Sequence, residues 1–275
     1  MAEQNITIIE HRRGWIPIDL AELLRYRELL YFLTWRDVLI RYKQTALGVA
    51  WAVIQPVVTM VIFSLVFGKF GKLPSDGVPY PVFTFCALLP WNLFASALTR
   101  STNSVVGSSN MVKKIYFPRL LIPISSTLSP LVDFAISLIV LFGLMAYYRL
   151  PFGWGLLLLP LLMLVTISVA LGVGLWLSTL NVKYRDVGHA IPFLIQAWMF
   201  ASPVAYSITL IPEKWQALYA LNPMVGVVNG FRWAFLGGGR MPLTTMGVSL
   251  AIALAILVTG MFYFRRMERT FADVV

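Results

Sequence analysis

Long apolar stretches separated by short polar segments form the dominant pattern of this 275-residue chain. Six of them hold about 20 or more residues with at most one charged side chain each, at 46–68, 81–103, 120–148, 154–180, 189–208 and 244–264. Twenty helical residues, rising 1.5 Å each, cross a hydrocarbon layer ~30 Å thick. The apolar positions do not form the single stripe of a soluble-bundle helix. The pattern predicts an all-α integral membrane protein with six transmembrane helices.

Residues 1–45 form a charged leader that contains an amphipathic segment. On a helix, Phe32, Trp35, Leu39 and Tyr42 share one face, and charged side chains occupy another. This arrangement predicts an N-terminal interfacial helix that lies along the membrane surface. A cleaved signal peptide would begin its apolar core much earlier, so the leader is expected to be retained in the cytoplasm.

The segment 209–243 holds two apolar pieces, WQALYAL and VGVVNGFRWAFL, that are too short to span a membrane. Pro212, Asn222–Pro223 and Gly237–Gly239 break the pattern between and after them. Two interpretations remain open from the residues: a structured external loop, or a pair of short re-entrant helices that dip into the outer leaflet. The aromatic content favours the re-entrant helices, because Trp and Tyr concentrate at membrane interfaces.

Composition and charge agree with a membrane protein. Hydrophobic residues make up 59% of the chain and charged residues 12%, with a mean hydropathy of +0.77 and a net charge of +10. With the amino terminus inside, 16 of the 22 Lys and Arg residues fall on the cytoplasmic side and 6 outside. The positive-inside rule therefore predicts two cytoplasmic ends, with residues 265–275 as the tail. It also explains the basic charge without a nucleic-acid partner.

Catalytic and metal-binding motifs are absent from the sequence. Cys86 is the single cysteine, and His11 and His189 are isolated, so neither a disulfide framework nor a zinc spacing exists within one chain. The string GKFGKLPS lacks the glycine spacing of a phosphate-binding loop. We expect no metal, no cofactor and no enzymatic activity in this chain.

Four segments carry a resemblance to a known family. They are RDVLIRYKQTALGVAWAVIQP (36–56), VKKIYFPRLLIPIS (112–125), LSTLNVKYRDVGHAIPFLIQAWMFASPVAYS (177–207) and LNPMVGVVNGFRWAFLG (221–237). In this order they resemble the ABC type-2 export permeases that move polysaccharides and polyol phosphates, among them the O-antigen, capsule and teichoic-acid permeases. The likeness covers roughly residues 22–270.

The resemblance implies a division of labour between chains. Such a permease is one transmembrane domain, here 1–275, that forms a homodimer in the bacterial inner membrane. It binds two copies of a nucleotide-binding ATPase, which holds the ATP and Mg. The substrate is expected to be a lipid-linked glycan. The residues implied in ATPase coupling are Arg36, Asp37, Arg41, Tyr42, Lys113, Lys114, Tyr116, Lys183, Tyr184, Arg185 and Asp186. For all of them, ordinary positive-inside charge or a surface anchor is the alternative.

The resemblance also places the first and fifth spans along a channel at the dimer seam. Aromatic rings there could hold sugar faces weakly and let a glycan slide. The channel candidates are Phe63, Phe67, Phe193, Trp198 and Phe200, each of which could instead face lipid or pack inside the protein. The candidates for an external gate are Trp215, Tyr219, Asn222, Pro223, Phe231 and Trp233.

Asp133 is the one carboxylate in the middle of an apolar stretch, where it costs ~2.5–3.5 kcal/mol to insert. No basic partner is evident from the sequence, so we expect a structural hydrogen bond to a neighbouring helix in preference to a proton relay. A secondary transporter or ATP-independent flippase would need several such charges. A membrane glycosyltransferase would need an acidic metal motif. A type-2 exporter of small lipids or drugs is the nearest alternative to polysaccharide export.

Overall fold

A computed structural model describes residues 20–43, 48–114, 117–237, 241–268 and 271. Within them every regular element is helical, as the sequence predicts. The α-helices are α1 (Leu20–Arg25), α2 (Arg27–Tyr42), α3 (Gly48–Phe63), α4 (Tyr80–Gly107), α5 (Ser109–Lys114), α6 (Leu121–Leu128), α7 (Leu131–Tyr147), α8 (Leu159–Lys183), α9 (Asp186–Phe200), α10 (Glu213–Tyr219), α11 (Pro223–Leu236) and α12 (Leu243–Met267). A π-helical turn (Ser64–Phe70) extends α3, and short 3-10 helices (Trp154–Leu158 and Ile208–Leu210) precede α8 and α10.

Five helical segments in the described part of the chain are long and apolar enough to cross a membrane. They are Gly48–Phe70, Tyr80–Gly107, Leu121–Tyr147, Trp154–Lys183 and Leu243–Met267. Each coincides with an apolar stretch of the sequence, so five of the six predicted helices are confirmed as helices of spanning length.

The remaining stretch, 189–208, is not one helix. The helix α9 has 15 residues and ends at Phe200, and the chain then turns through 201–207. At 1.5 Å per residue α9 is about 22 Å long, short of a ~30 Å hydrocarbon core. The prediction of a continuous span here is wrong, because the carbonyl groups of the turn are bonded by side chains from other helices, as described below.

The segment 209–243 contains the two short helices expected from its broken pattern. They are α10, with 7 residues, and α11, with 14. Most of α11 is buried, against α4, α8 and α12. The helix α11 is therefore part of the core and not only a helix within an external loop.

The core is built around α4, the most deeply buried of the five long helices. It packs against α3, α6, α7, α8, α9 and α11. In contrast, α3 and α9 bury few residues and leave most of their surface outside the protein. Both helices therefore offer apolar surface to lipid or to another chain.

Close packing of α8 on its neighbours depends on two small residues, Gly172 and Gly174. A Cβ atom at Gly172 would lie 2.7 Å from the backbone nitrogen of Leu257 in α12. One at Gly174 would lie 2.4 Å from Oγ of Ser101 in α4. Side chains at these positions would therefore force the helices apart.

Contacts between elements define two ends of the helix bundle. The "α2 end" carries α1 and α2, the α8–α9 connection and the carboxyl end of α12. The "opposite end" carries the segment 71–79 and the turn 201–207. At the α2 end, Arg265 pairs with Glu22 at 3.3 Å. At the opposite end, the Ser207 hydroxyl donates to Asp76 at 2.8 Å.

Candidate functional site

The helix α2 lies against α6 and presents an apolar face to the outside. Leu33 and Val38 are buried in the contact, whereas Phe32 and Trp35 are 64% and 50% exposed. Phe32, Trp35 and Leu39 of the predicted apolar face are therefore turned away from the protein, whereas Tyr42 of the same face is turned toward it. Several charged side chains of α2, in contrast, point toward the rest of the protein.

Asp37 faces α6. Its carboxylate accepts a bond from the Ser126 hydroxyl at 3.1 Å and pairs with the guanidinium of Arg36 at 2.8 Å. Arg36 keeps much of its side chain exposed. Of these two predicted coupling residues, only Arg36 offers its charge to a partner outside this chain.

Arg41 and Tyr42 both reach Asp133 in the first turn of α7. Arg41 Nη1 lies 2.7 Å from Oδ2 of Asp133, and the Tyr42 hydroxyl donates to Oδ1. Burial and this hydrogen bond raise the pKa of Tyr42 to about 12, so its hydroxyl keeps the proton at physiological pH. The expected bond from Asp133 to a neighbouring helix is confirmed. The expectation that it has no basic partner is wrong, because that partner is remote in sequence.

Two further groups of predicted coupling residues lie exposed at the α2 end. Lys113 and Lys114 close α5, and their side chains project outward. The α8–α9 connection exposes four consecutive side chains, those of Lys183, Tyr184, Arg185 and Asp186. The Lys183 ammonium lies 5.2 Å from the ring centre of Tyr184. Tyr116 lies outside the described residues. These side chains form an accessible surface of mixed charge.

Asn181 fixes the α8–α9 connection to α4, and sequence analysis missed it. Its amide nitrogen donates to the Thr102 carbonyl at 3.2 Å and to Asn103 Oδ1 at 3.1 Å. Its amide oxygen accepts from the backbone nitrogen of Gly188 at 2.9 Å. Every polar atom of this buried amide is hydrogen-bonded. Movement of the α8–α9 connection is therefore transmitted directly to α4. Its sequence signal is an asparagine at the end of an apolar helix.

Replacing Asn181 with leucine should lower the free energy of unfolding by about 1–2 kcal/mol, because Asn103 and the backbone of Gly188 lose their partner inside the protein. Thermal unfolding in detergent measures the loss. Thr259→Ala is the matched control, since the exposed Thr259 hydroxyl bonds only its own helix. Equal unfolding temperatures for the two variants would contradict the role given to Asn181.

Arg232 organises the opposite end of the bundle. It is buried within α11 and donates to the carbonyls of Val204 at 2.9 Å and Tyr206 at 3.0 Å. Its guanidinium lies 3.7 Å from the ring centre of Phe83 in α4. By the positive-inside rule, Arg232 is one of the six Lys and Arg residues expected outside. Its position within an apolar helical pattern was the available signal, because such charges are paired and face the protein interior.

Asn222 ties the start of α11 to the end of α9. Its side-chain oxygen accepts from Trp198 Nε1 at 2.9 Å and caps α11 by accepting from the Met224 backbone at 3.0 Å. Its amide nitrogen donates to the Ala201 carbonyl and the Ser202 hydroxyl, each at 2.9 Å. The Asn-Pro pair therefore both starts α11 and holds the end of α9.

An open groove of about 700 Å³ lies between α9 and α10. It brings together one predicted channel residue and four predicted gate residues: Trp198, Trp215, Tyr219, Asn222 and Pro223. The lining is mostly apolar and aromatic, since the polar atoms of Asn222 are already bonded within the protein. The groove is therefore a mainly apolar surface in which three aromatic side chains take part, those of Trp198, Trp215 and Tyr219.

The other two gate candidates lie elsewhere. Phe231 is fully buried, with its ring centre 6.1 Å from that of Phe134, so the prediction that it sits at a membrane interface is wrong. The burial of α11 explains the difference. Trp233 packs against Trp154 at 5.1 Å, beside the close approach of Gly155 to α11.

Of the channel candidates, Trp198 packs inward at 4.9 Å from Phe94, between ring centres. Phe193 and Phe200 are 73% and 53% exposed on α9. Phe63 and Phe67 form an edge-to-face pair at 5.3 Å at the end of the first long helix and are partly buried. This chain alone does not gather the five into one lining. All five lie on two weakly buried elements, α3 with its π-helical extension and α9.

Comparison with known proteins places this architecture in a family. The model of the ABC-2 type transporter family matches residues 28–236. The chain is 28% identical to the O-antigen export system permease protein RfbA of Klebsiella pneumoniae, over 90% of this chain and 95% of the relative. It is 28% identical to the protein of the same name from Myxococcus xanthus, over 92% and 98%. It is 21% identical to the polysialic acid transport protein KpsM of Escherichia coli, over 85% and 91%. The match across most of its length shows that the chain belongs to the ABC-2 type transporter family.

Proposed function

We propose that this chain is the permease subunit of an ATP-driven exporter that moves a lipid-linked polysaccharide across a bacterial inner membrane. The observation that carries the proposal is the likeness, over nine-tenths of the chain, to permeases named for O-antigen export. The relative named for polysialic acid transport extends the same substrate class to a second polymer. The all-helical bundle with five helices of spanning length supports a transport subunit.

Hydrolysis of ATP belongs to a separate subunit in this proposal. Two copies of the permease pair with two copies of an ATPase, which binds ATP and Mg. The exposed charges at the α2 end, on α5 and on the α8–α9 connection, are the contact surface for the ATPase. Arg36 adds an exposed charge on α2. The α2 end is then cytoplasmic, with both chain termini, as the distribution of Lys and Arg requires.

The fifth of the six crossings is made in two steps. The helix α9 rises from the α2 end, and the turn 201–207 brings the chain to the opposite end, where Ser207 meets Asp76. Helices α10 and α11 then dip back from the outer face. The aromatic face of α2 rests in the cytoplasmic leaflet.

The polymer passes between two copies of the permease, along the weakly buried faces of α3 and α9. Phe63, Phe67, Phe193 and Phe200 offer ring faces along this path. The groove beside Trp198 lies at the outer exit, where α10 and α11 act as the gate.

Gentle purification of the tagged protein from its native membrane should recover an ATPase subunit in about equal amount. Reversing two charges of the α8–α9 connection, with Lys183→Glu and Arg185→Glu, should lower that recovery about tenfold, since ~1.4 kcal/mol of lost contact corresponds to tenfold in affinity. Quantitative blotting of the two subunits measures the ratio.

The matched control reverses two charges at the opposite end, with Lys69→Glu and Lys72→Glu, and should keep full recovery of the ATPase. Loss of the chain should also remove the surface polysaccharide of the cell. Failure to recover any ATPase with the unmodified protein in several mild detergents, or an unchanged surface polysaccharide without the chain, would refute the proposed function.

A further inference from the structure

We propose that Arg41 and Asp133 form an internal latch that carries movement of α2 into the third span, so that Arg41 is a positioning residue and not a contact for the ATPase. This inference rests on the proposed function, because it describes how that exporter couples its parts. The family resemblance groups Arg41 with the docking charges. The structure turns its guanidinium toward the bundle, 2.7 Å from the Asp133 carboxylate.

The position of Asp133 suits a moving joint. The third span is two helices, α6 and α7, separated at Ser129–Pro130, and Asp133 lies in the first turn after that break. The body of α2 rests on α6, whereas Arg41 and Tyr42 at its end reach across the break to α7. A shift of α2 can therefore change the angle between the two halves, because it holds both of them.

A cavity beside the ion pair, lined by both polar and apolar side chains, gives the pair room to open. The cavity, about 100 Å³, is lined by polar groups of three spans, Gln55 from α3, Asn92 and Ser96 from α4, and Ser137 from α7, in addition to the ion pair. An ion pair that separates in an interior without polar groups leaves two uncompensated charges, which is very costly. The polar side chains in the cavity wall reduce that cost and let the pair act as a reversible contact.

A second cation keeps Asp133 from being stranded when Arg41 moves away. Arg100 of α4 donates to the Ser129 hydroxyl at 3.4 Å, beside the break, and interacts electrostatically with both Asp133 and Arg41. Arg41 and Arg100 repel each other, and Asp133 attracts both. A carboxylate that can pair with either of two cations is the kind of bistable element on which conformational coupling depends.

The test is a double-mutant cycle in the complete complex of permease and ATPase, reconstituted in lipid vesicles. Asp133→Asn and Arg41→Gln should each lower the polysaccharide exported per ATP hydrolysed by about tenfold, while recovery of the ATPase and its ATP turnover remain unchanged. The double variant should be no worse than either single variant, because both remove the same contact. The reversed pair, Arg41→Asp with Asp133→Arg, should regain part of the coupling.

Arg36→Gln provides the matched control. Its effect should add to that of Asp133→Asn, because Arg36 bonds Asp37 and not Asp133. Loss of the ATPase from the Arg41→Gln variant, with Asp133→Asn unaffected, would overturn the latch and restore Arg41 as a docking residue. Additive losses for Arg41→Gln and Asp133→Asn would overturn it as well.

A second measurement separates this inference from the proposed function. The same cycle is followed by thermal unfolding of the permease alone in detergent, which requires neither an ATPase nor a substrate. Coupled effects of the two substitutions on the unfolding temperature support the ion pair even if the complex exports another compound. Independent effects show that the pair does not form and refute the latch, whatever the substrate is.

Discussion

Replacing Arg232 with methionine should lower the free energy of unfolding by about 3–5 kcal/mol and abolish export. The guanidinium supplies two good hydrogen bonds, to the carbonyls of Val204 and Tyr206, and a bond to a charged donor contributes about 1.5–3 kcal/mol. Methionine fills a similar volume and keeps the contact with Phe83, so the loss reports the hydrogen bonds. Thermal unfolding in detergent and surface polysaccharide measure the two effects.

The fork of the guanidinium is the reason that lysine cannot substitute. One ammonium group cannot reach the two carbonyls and lie over the Phe83 ring in the same geometry. Arg232→Lys should therefore recover less than half of the lost stability. Lys214→Met, at an exposed position of α10 in the same segment, serves as the control and should unfold like the unmodified protein. A normal unfolding temperature for Arg232→Met would show that the turn 201–207 is held by other contacts.

Export is expected to depend on Arg232 through the turn 201–207, whose first residue, Ala201, lines the groove. The turn held by Arg232 continues from the end of α9, where Asn222 bonds the Ala201 carbonyl and Trp198. Freed carbonyls in 204–206 would need water, which would open the wall of the groove beside Trp198. The effect on export is expected even at temperatures where the variant stays folded. Arg232→Met measured well below its unfolding temperature separates the two effects.

The helices of spanning length could be predicted from sequence because their signal is local. A run of twenty apolar residues is stable as a helix in lipid whatever lies beside it, since the backbone bonds are internal. The end of α9 depends instead on Arg232 and Asn222, some 20 to 30 residues later in the chain. Residues 201–207 carry no charged side chain. The uncharged stretch of the sequence therefore continues past Phe200, whereas the helical backbone hydrogen bonding ends there.

The candidate coupling site was predicted in part for the same reason. Charge and position identify Arg36, Lys183 and Arg185 as exposed groups near the first and fourth polar segments. The partner of Asp133 could not be assigned, because Arg41 is 92 residues away and the sequence contains other arginines at the same end. A sequence does not distinguish a cation that faces the protein interior from one that faces outward until the packing of its helix is known. Here the contact of α2 with α6 decides which face is which.

Replacing Gly172 with valine should lower the free energy of unfolding by about 3 kcal/mol and leave much of the chain misfolded in the membrane. A Cβ atom at Gly172 would lie 2.7 and 2.8 Å from backbone atoms of Leu257, and Gly260 approaches the carbonyl oxygen of Gly172 from the same helix. Backbone cannot rotate away as a side chain can, so α12 has to move as a whole. That movement would also disturb Arg265 and its bond to Glu22 at the α2 end.

Gly143→Val in α7 is the matched control for that substitution, because no atom lies within 4 Å of a Cβ built there. Valine has a higher helix propensity than glycine, so this variant should be neutral or slightly stabilising. Membrane fractionation, detergent solubility and thermal unfolding compare the two. If Gly172→Val behaved like Gly143→Val, α8 and α12 would have to be farther apart than the structure places them. A large difference would show that the stability of the bundle depends strongly on a direct contact between the backbones of α8 and α12. Neither the hydrophobicity nor the charge of a side chain contributes to that contact.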